Sequence, residues 1–376
     1  MKNKQWLTDI LSGIEGLESK AWSGFERRKF YFHPFYRVGL SGQSTQSIEA
    51  LFGKSRVGRF KNFRRNLRKF SWVRAPYLTI KASLPQDSVI FFQDKRQRMI
   101  IASPKEEKVL KISISESQLQ LLNGEIALLK FLQKTPFKDH TAKLVDHGEN
   151  WIITSFCSNQ DSLLNEKCPE ALLLEKMHTL IMNPMQKFYQ SYGEKKLGVK
   201  GWLAEVSKRI EKHPSREILE NILQAITLQK KSLPELELLY VQLHFDLHAG
   251  NILRDGDTVS IIDWEVTTPG LVIIDYFDFY RRYLKVDPQE NKAFWEFLKG
   301  NGEAPPKLRA FIQKFIEWQK QFDVLMPSGS ERLVFFLYAI ERSCIYFEKW
   351  GENRLSDRKG FEFKISQCVR SDKVNL

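Results

Sequence analysis

Cysteine is scarce in this chain of 376 residues. The four present, Cys157, Cys168, Cys344 and Cys368, are scattered and form no Cys-x-x-Cys pair. That argues against a disulfide framework or a zinc site, and it fits a reducing cytoplasm. Long apolar runs are missing as well. The longest, Leu333 to Ile340, has eight residues, against the roughly 20 that a membrane-spanning helix requires, so it reads as a buried helix near the C-terminus. The start of the chain is basic, but Asp9, Glu15 and Glu18 interrupt the stretch after it, which leaves no apolar signal-peptide core. There is no internal repeat and no low-complexity tract.

One sign of charge is absent from an entire segment. Between Lys54 and Arg74 stand nine basic residues and no acid. Of the net charge of +13, residues 1–80 carry +11 and the remaining residues +2. The basicity therefore belongs to an extension in front of a nearly neutral body. Within it Phe60, Phe63, Leu67 and Phe70 recur at i, i+3, i+7 and i+10, one apolar stripe on a helix with basic flanks. A basic amphipathic helix suits an anionic membrane surface or another polyanion. Packing of the stripe on the body, with the charges solvated, is the plain alternative. Nucleic acid is disfavoured, because no recognition motif accompanies the charge.

With 42% hydrophobic and 27% charged residues, the chain reads as an ordinary globular protein, and its length exceeds the ~250–300 residues at which single cores stop growing. From Ser88 onward the pattern is strands with turns between them. Val89–Phe92 and Met99–Ala102 flank a polar turn, and Lys108–Ile112 comes after Pro104-Lys105-Glu106-Glu107. Leu122, Ile126 and Leu129 then mark one face of a helix, and Ala142–Val145 and Trp151–Thr154 read as two more strands. From about Asp161 to Tyr240 the text reads as helical, most clearly after Pro214-Ser215, where Ser215 can cap a stripe of Ile218, Leu219, Ile222, Leu223 and Ile226. Asn251–Leu253 and Thr258–Ile262 flank Asp255-Gly256, a hairpin signal. That hairpin brings Asn251 on one arm and Asp263 at the end of the other toward one place. Residues Asp275 to Lys349 read as helical and aromatic.

The most specific feature is His244-Phe245-Asp246-Leu247-His248-Ala249-Gly250-Asn251, with Ile262-Asp263-Trp264-Glu265 downstream of it. It resembles the His-Gly-Asp-x-His-x-x-Asn and hydrophobic-Asp-aromatic pattern of the aminoglycoside phosphotransferase and choline kinase superfamily, the small-molecule kinases related to protein kinases. The resemblance covers roughly residues 88 to 350. Phe245 stands where that family has glycine. The resemblance implies ATP and Mg²⁺ as cofactors, with Asp246 as the base that deprotonates an acceptor hydroxyl and Asn251 and Asp263 as magnesium ligands. Hard oxygen donors of this kind suit Mg²⁺ independently of any family. Lys111, in Val109-Leu110-Lys111-Ile112, resembles the strand lysine that reaches the α/β-phosphates. Glu125, fourteen residues later, would pair with it, with Glu116 as a competitor near the same helix start. His244 is expected to brace the loop, Asp275 to support it, and Thr154 to Cys157 to form the adenine-facing hinge. The turn Gln93–Arg98 holds no glycine, so Lys95, Arg96 or Arg98 would have to supply charge to phosphate if that turn contacts it; a solvated basic turn is the alternative.

The implied fold class is α+β: a two-lobed protein-kinase-like fold with a small antiparallel-sheet N-lobe and one helix (86–157) and a larger, mainly helical C-lobe (158–352). The basic N-terminal extension (1–85) precedes it and a polar tail (353–376) ends the chain. The implied function is phosphorylation of a hydroxyl on a small molecule or sugar, the acceptor being a small molecule or carbohydrate, including a membrane-associated glycan. Three alternatives stand beside it: a choline- or ethanolamine-type kinase, an aminoglycoside kinase, and a catalytically silent kinase-like binding protein. Trp264, Tyr276, Tyr280, Tyr283, Trp295 and Trp318 could build an ammonium cage, and Glu265 and Asp278 could serve a cationic acceptor. The expected location is cytoplasmic, with peripheral contact at the inner face of the membrane through residues 54–74.

Overall fold

The computed structural model describes residues 27–33, 38–40, 78–83, 88–93, 98–113, 115–158, 175, 178–228, 236–248, 250–284, 292–293, 296–297, 303–324 and 331–351. The expected basic helix at 54–74 and the tail at 353–376 lie outside the described residues. The chain divides into two compact units. One comprises Met1–Ser191 with Ala249–Val266, the other Tyr192–His248 with Thr267–Leu376.

The first unit is built on an antiparallel sheet of eight strands: β1 (Arg27–His33), β2 (Val38–Leu40), β3 (Leu78–Ser83), β4 (Val89–Gln93), β5 (Arg98–Ser103), β6 (Lys108–Ser113), β7 (Leu144–His147) and β8 (Trp151–Ser155). Their order is β3-β1-β2-β4-β5-β6-β8-β7. Strands β4 to β8 are the five-stranded sheet that the resemblance implies for the small lobe. The basic extension is not separate from it. Strand β2 pairs with β4, Val38 opposite Phe91, so the boundary drawn at residue 85 falls inside one continuous sheet.

Between β6 and β7 runs helix α1 (Glu116–Leu132). Ser115 precedes it in extended conformation, Glu116 lies in its first turn and Lys130 in its last, both signs favourable to the helix dipole. It buries Leu122, Ile126, Leu128, Leu129 and Leu132, each contributing about 1.5–3 kcal/mol of transfer free energy before entropy is subtracted. The hairpin of β11 (Ile252–Asp255) and β12 (Thr258–Ile261) belongs to the same unit. Ile261 bridges Thr141, and Trp264 packs edge-on against Phe137 with ring centroids 5.5 Å apart. Those contacts explain why a segment late in the sequence belongs to the early unit. The turn itself is centred one residue beyond the Asp255-Gly256 signal. Asp255 and Thr258 are the last paired residues, and Gly256, at φ +60°, opens the two-residue loop as only glycine does without strain.

The second unit holds a three-stranded sheet, β13-β10-β9, with β9 at Lys195–Gly198, β10 at Glu237–Leu243 and β13 at Thr268–Leu271. The expectation of helix throughout 161–240 is therefore corrected at β9 and β10. Leu238, Leu239, Val241 and Leu243 of β10 are all buried, and pairing on both sides of this strand takes precedence over local propensity. Among the described residues of that stretch stand helices α2 (Asn183–Tyr192), α3 (Val199–Ile210) and α4 (Arg216–Leu228), and α4 buries Leu219, Ile222 and Ile226 of the expected stripe. After β13 come α5 (Ile273–Leu284), α6 (Pro306–Gln319) and α7 (Glu331–Trp350). The run Leu333–Ile340 in α7 is buried throughout, as its sequence predicts. Gly270 of β13 faces it: a Cβ there would meet Leu243 Cδ1 at 2.6 Å and Ile345 Cδ1 at 2.8 Å. Among the described residues no helix is long and apolar enough to cross a membrane.

Candidate active site

A cavity of about 240 Å³ opens in the first unit, lined by β5, β6, α1, the segment after β8 and the hairpin. Its charged wall begins with Lys111, in the middle of β6 between Ile100 and Ile152. Apolar neighbours on both sides hold the ammonium inside the sheet's edge, and the residue is buried. Its Nζ donates to Glu125 Oε1 at 2.8 Å and Oε2 at 2.9 Å, and to Asp263 Oδ1 at 2.9 Å. Glu125 rather than Glu116 is thus the partner on α1. Burial by itself would lower the Lys111 pKa. The Asp263 and Glu125 carboxylates outweigh burial and the opposing Arg98 charge, and hold it above the ordinary lysine value.

Asp263 sits just after β12 in the left-handed region, φ +67°, where aspartate is tolerated better than most residues. Its side chain is 27% exposed. The Ile262 N–H donates to the Asn251 carbonyl at 2.9 Å, which closes the hairpin below its two polar residues. Asn251 and Asp263 both line the cavity, and together they offer an amide oxygen and a carboxylate, hard donors of the kind that hold Mg²⁺. Thr154, Ser155, Phe156 and Cys157, the expected hinge, line it as well. Burial pushes the Cys157 thiol up, against a hydrogen bond with Ser260.

Two charged residues beside this set, Arg98 and Glu265, are paired with each other, a contact the sequence reading did not foresee. Arg98, 2% exposed, is bonded through Nη1 to Glu265 and donates from Nε to Gln93 Oε1 at 3.0 Å. Carboxylate oxygens of Glu125, Asp263 and Glu265 lie within 4.8 Å of one another, so Arg98 and Lys111 together balance three acids. Arg98 is therefore a buried strand residue, not a turn charge. Lys95 and Arg96 lie outside the described residues. The available signal was Arg98 itself, a charge opening an otherwise apolar strand, but its partner is 167 positions away and nothing local indicates it.

The second unit carries the His244–His248 loop, which comes directly after β10. Asp275, fully buried in the first turn of α5, accepts the backbone N–H of His244 and of Phe245, each at 2.7 Å. Buried charge-assisted bonds of this kind contribute about 1.5–3 kcal/mol each. His244 is also buried, and its Nδ1 accepts the Asp246 N–H at 3.3 Å, so it braces the backbone. Asp246 keeps a side chain 35% exposed, with Oδ2 at 3.6 Å from His248 Nε2. Phe245, where the family pattern has glycine, takes φ +65°, a conformation costing a non-glycine residue roughly 1–2 kcal/mol. Two suggestions about the acceptor are not supported by the packing. Trp264, Tyr276 and Trp318 are buried among other aromatic rings and form no open cage; the side chains of Tyr280, Tyr283 and Trp295 lie outside the described residues. Asp278 is bonded to Arg342 and Tyr338, and Glu265 to Arg98, so neither carboxylate stands open to a cationic acceptor.

A model of the phosphotransferase enzyme family matches residues 168–311, which contain the loop, the hairpin and all of α5. The chain is similar to that family. Among curated protein sequences none matches the chain. Solved structures similar to it include the choline kinase LicA from Streptococcus pneumoniae, at 13% identity and TM-score 0.41, over 82% of this chain and 98% of that one. An ADP-bound aminoglycoside phosphotransferase is similar at 14% identity and TM-score 0.36, over 82% and 97%. An amicoumacin kinase in complex with AMP-PNP and Ca²⁺ is similar at 14% identity and TM-score 0.41, over 77% and 89%.

Proposed function

We propose that this protein is an ATP- and Mg²⁺-dependent phosphotransferase that phosphorylates a hydroxyl group on a small molecule or sugar. The observation carrying the reading is the cluster of Lys111, Glu125, Asn251 and Asp263 on one cavity, joined in sequence to the His244-to-Asn251 motif. Lys111 contacts the phosphates, held in place by Glu125. Asn251 and Asp263 hold the metal, and Thr154 to Cys157 receive the adenine. Bound magnesium supplies charge neutralisation of the triphosphate as the γ-phosphoryl group leaves. Asp246, kept in register by His244 and Asp275, orients the acceptor hydroxyl and accepts its proton.

Within this class a sugar, polyol or lipid-linked glycan suits the basic extension better than a cationic acceptor does. The pairing of Glu265 with Arg98 and of Asp278 with Arg342, all four buried, supports the same preference. Peripheral contact of residues 54–74 with an anionic membrane accompanies it. Flotation with anionic liposomes tests that contact: wild-type protein should float, a variant with the nine basic residues of 54–74 changed to glutamine should not, and equal recovery would end the idea. The glycine-free turn at 93–98 favours a second reading, a nucleotide-binding protein that transfers no phosphoryl group.

A mass-shift screen of a panel of alcohols and sugars with Mg·ATP separates the two readings. A phosphorylated product is expected, and Asp246→Asn should reduce its rate by ~10²–10⁴-fold, the usual effect of losing a positioned base. Binding of nucleotide with no product from any acceptor would favour the silent reading. Full activity of Asp246→Asn would overturn the role of that residue.

A further inference from the structure

The loop residue that departs from the family pattern is held by a group of its own. Phe245 is 2% exposed, and its ring lies under the Arg342 guanidinium, with Cζ 5.2 Å from the ring centroid. Arg342, on α7, is 4% exposed and paired through Nη1 with Asp278 Oδ2. The other carboxylate oxygen of Asp278, on α5, accepts from the Tyr338 hydroxyl at 2.6 Å. Asp275 and Asp278 stand three residues apart, on one face of α5. The first grips the backbone N–H groups of His244 and Phe245. The second aims a buried cation at the ring of Phe245.

The backbone at Phe245 makes this arrangement informative. At φ +65° a glycine sits without cost, whereas a bulky side chain is an outlier. A residue that opposes its own backbone conformation persists only where the surroundings over-determine it. Here the surroundings are a desolvated cation–π contact, the form in which that interaction is strongest, backed by an ion pair and a tyrosine hydroxyl. Phe245 immediately precedes Asp246, so fixing its Cα and ring fixes the start of the peptide that carries Asp246.

We propose that Phe245 is a positioning residue. Its ring, clamped by the Arg342–Asp278–Tyr338 brace, sets the orientation of Asp246, a task the backbone bonds to Asp275 alone leave incomplete. The proposal rests on Asp246 being the base and deepens that reading. It predicts that glycine at 245, although it relieves the strained backbone, makes a poorer enzyme.

The test compares full-length wild type with Phe245→Gly by two readouts: amide hydrogen exchange over residues 244–248, and steady-state hydrolysis of Mg·ATP with water as acceptor. Expected are exchange at least about tenfold faster and a kcat lower by about tenfold or more, with KM for ATP within about twofold. Exchange at the wild-type rate overturns the anchor, whatever happens to kcat. Faster exchange with kcat unchanged in both Phe245→Gly and Asp246→Asn upholds the anchor and counts against Asp246 as base. Should Phe245→Gly fail to fold, Phe245→Leu keeps the buried volume and removes the aromatic face. It is expected to exchange at least about threefold faster, and wild-type exchange in that variant would overturn the proposal equally.

Discussion

Lys111 and Arg342 are both buried cations held by carboxylates, one in each unit, and they are used in opposite ways. Lys111 lines a cavity and shares Asp263, a carboxylate still 27% exposed. Arg342 is enclosed between Asp278 and the face of Phe245. In the first unit the ionic network keeps one side toward the cavity. In the second unit the charges are consumed internally, Asp275 on two backbone amides and Arg342 on a ring. The contrast separates charges that face a cavity from charges that hold a loop. A sequence, which shows both only as charges among apolar residues, does not draw that line.

The contrast breaks most visibly at Lys111. Lys111→Ala leaves Glu125, 2% exposed, without its partner at 2.8 Å. Stranding a buried charge in this way costs about 3–5 kcal/mol, so the variant should unfold at markedly lower urea and should lose nucleotide binding as well. Wild-type stability would mean that Arg98, already beside the cluster, takes over the compensation. Asp275→Asn sharpens the other side. An amide can accept one of the two N–H bonds but turns its own NH₂ toward the second, a loss of about 2 kcal/mol. Turnover should fall with little change in nucleotide affinity, measured by kcat against KM for ATP. A change in KM alone would place Asp275 among the ligand-handling groups. At the small end stands Arg216–Glu220, an i, i+4 pair at 2.7 Å with side chains 57% and 39% exposed. Arg216→Ala should move the urea midpoint by no more than about 0.5 kcal/mol equivalent, which sets the background for the other two.

Much of this was legible in the residues, and the remainder obeys a rule of distance. Strands β4 to β6, helix α1 and the hairpin could be read because their signals are local: short apolar runs, an apolar helix face, a turn glycine. The order of Lys111, Glu125, Asp246, Asn251 and Asp263 could be read because a motif fixes it. The pairing of Lys111 with Glu125, fourteen positions on, was expected; that with Asp263, 152 positions away, was not. Nor were Arg98 with Glu265 and Phe245 with Arg342, since no local pattern joins a strand charge to a distant acid or a loop ring to a late helix. Strand β10 was misread as part of a helical stretch because its sheet partners come from β9 and β13, the latter well beyond it in the chain. Strands β1 to β3 were missed because the basic charge between them drew the reading toward a surface segment rather than a sheet edge.

The central claim is that the cavity beside Lys111 binds nucleotide through a metal held by Asn251 and Asp263. Calorimetric titration of the full-length protein with ATP, with Mg²⁺ and then with EDTA, tests it most directly when repeated on Asp263→Asn, since asparagine also tolerates the left-handed backbone at that position. The account predicts binding that depends on Mg²⁺ in the wild type and is weakened by about tenfold or more in the variant. Equal affinity in all the titrations, or no nucleotide binding by the wild type, would contradict it.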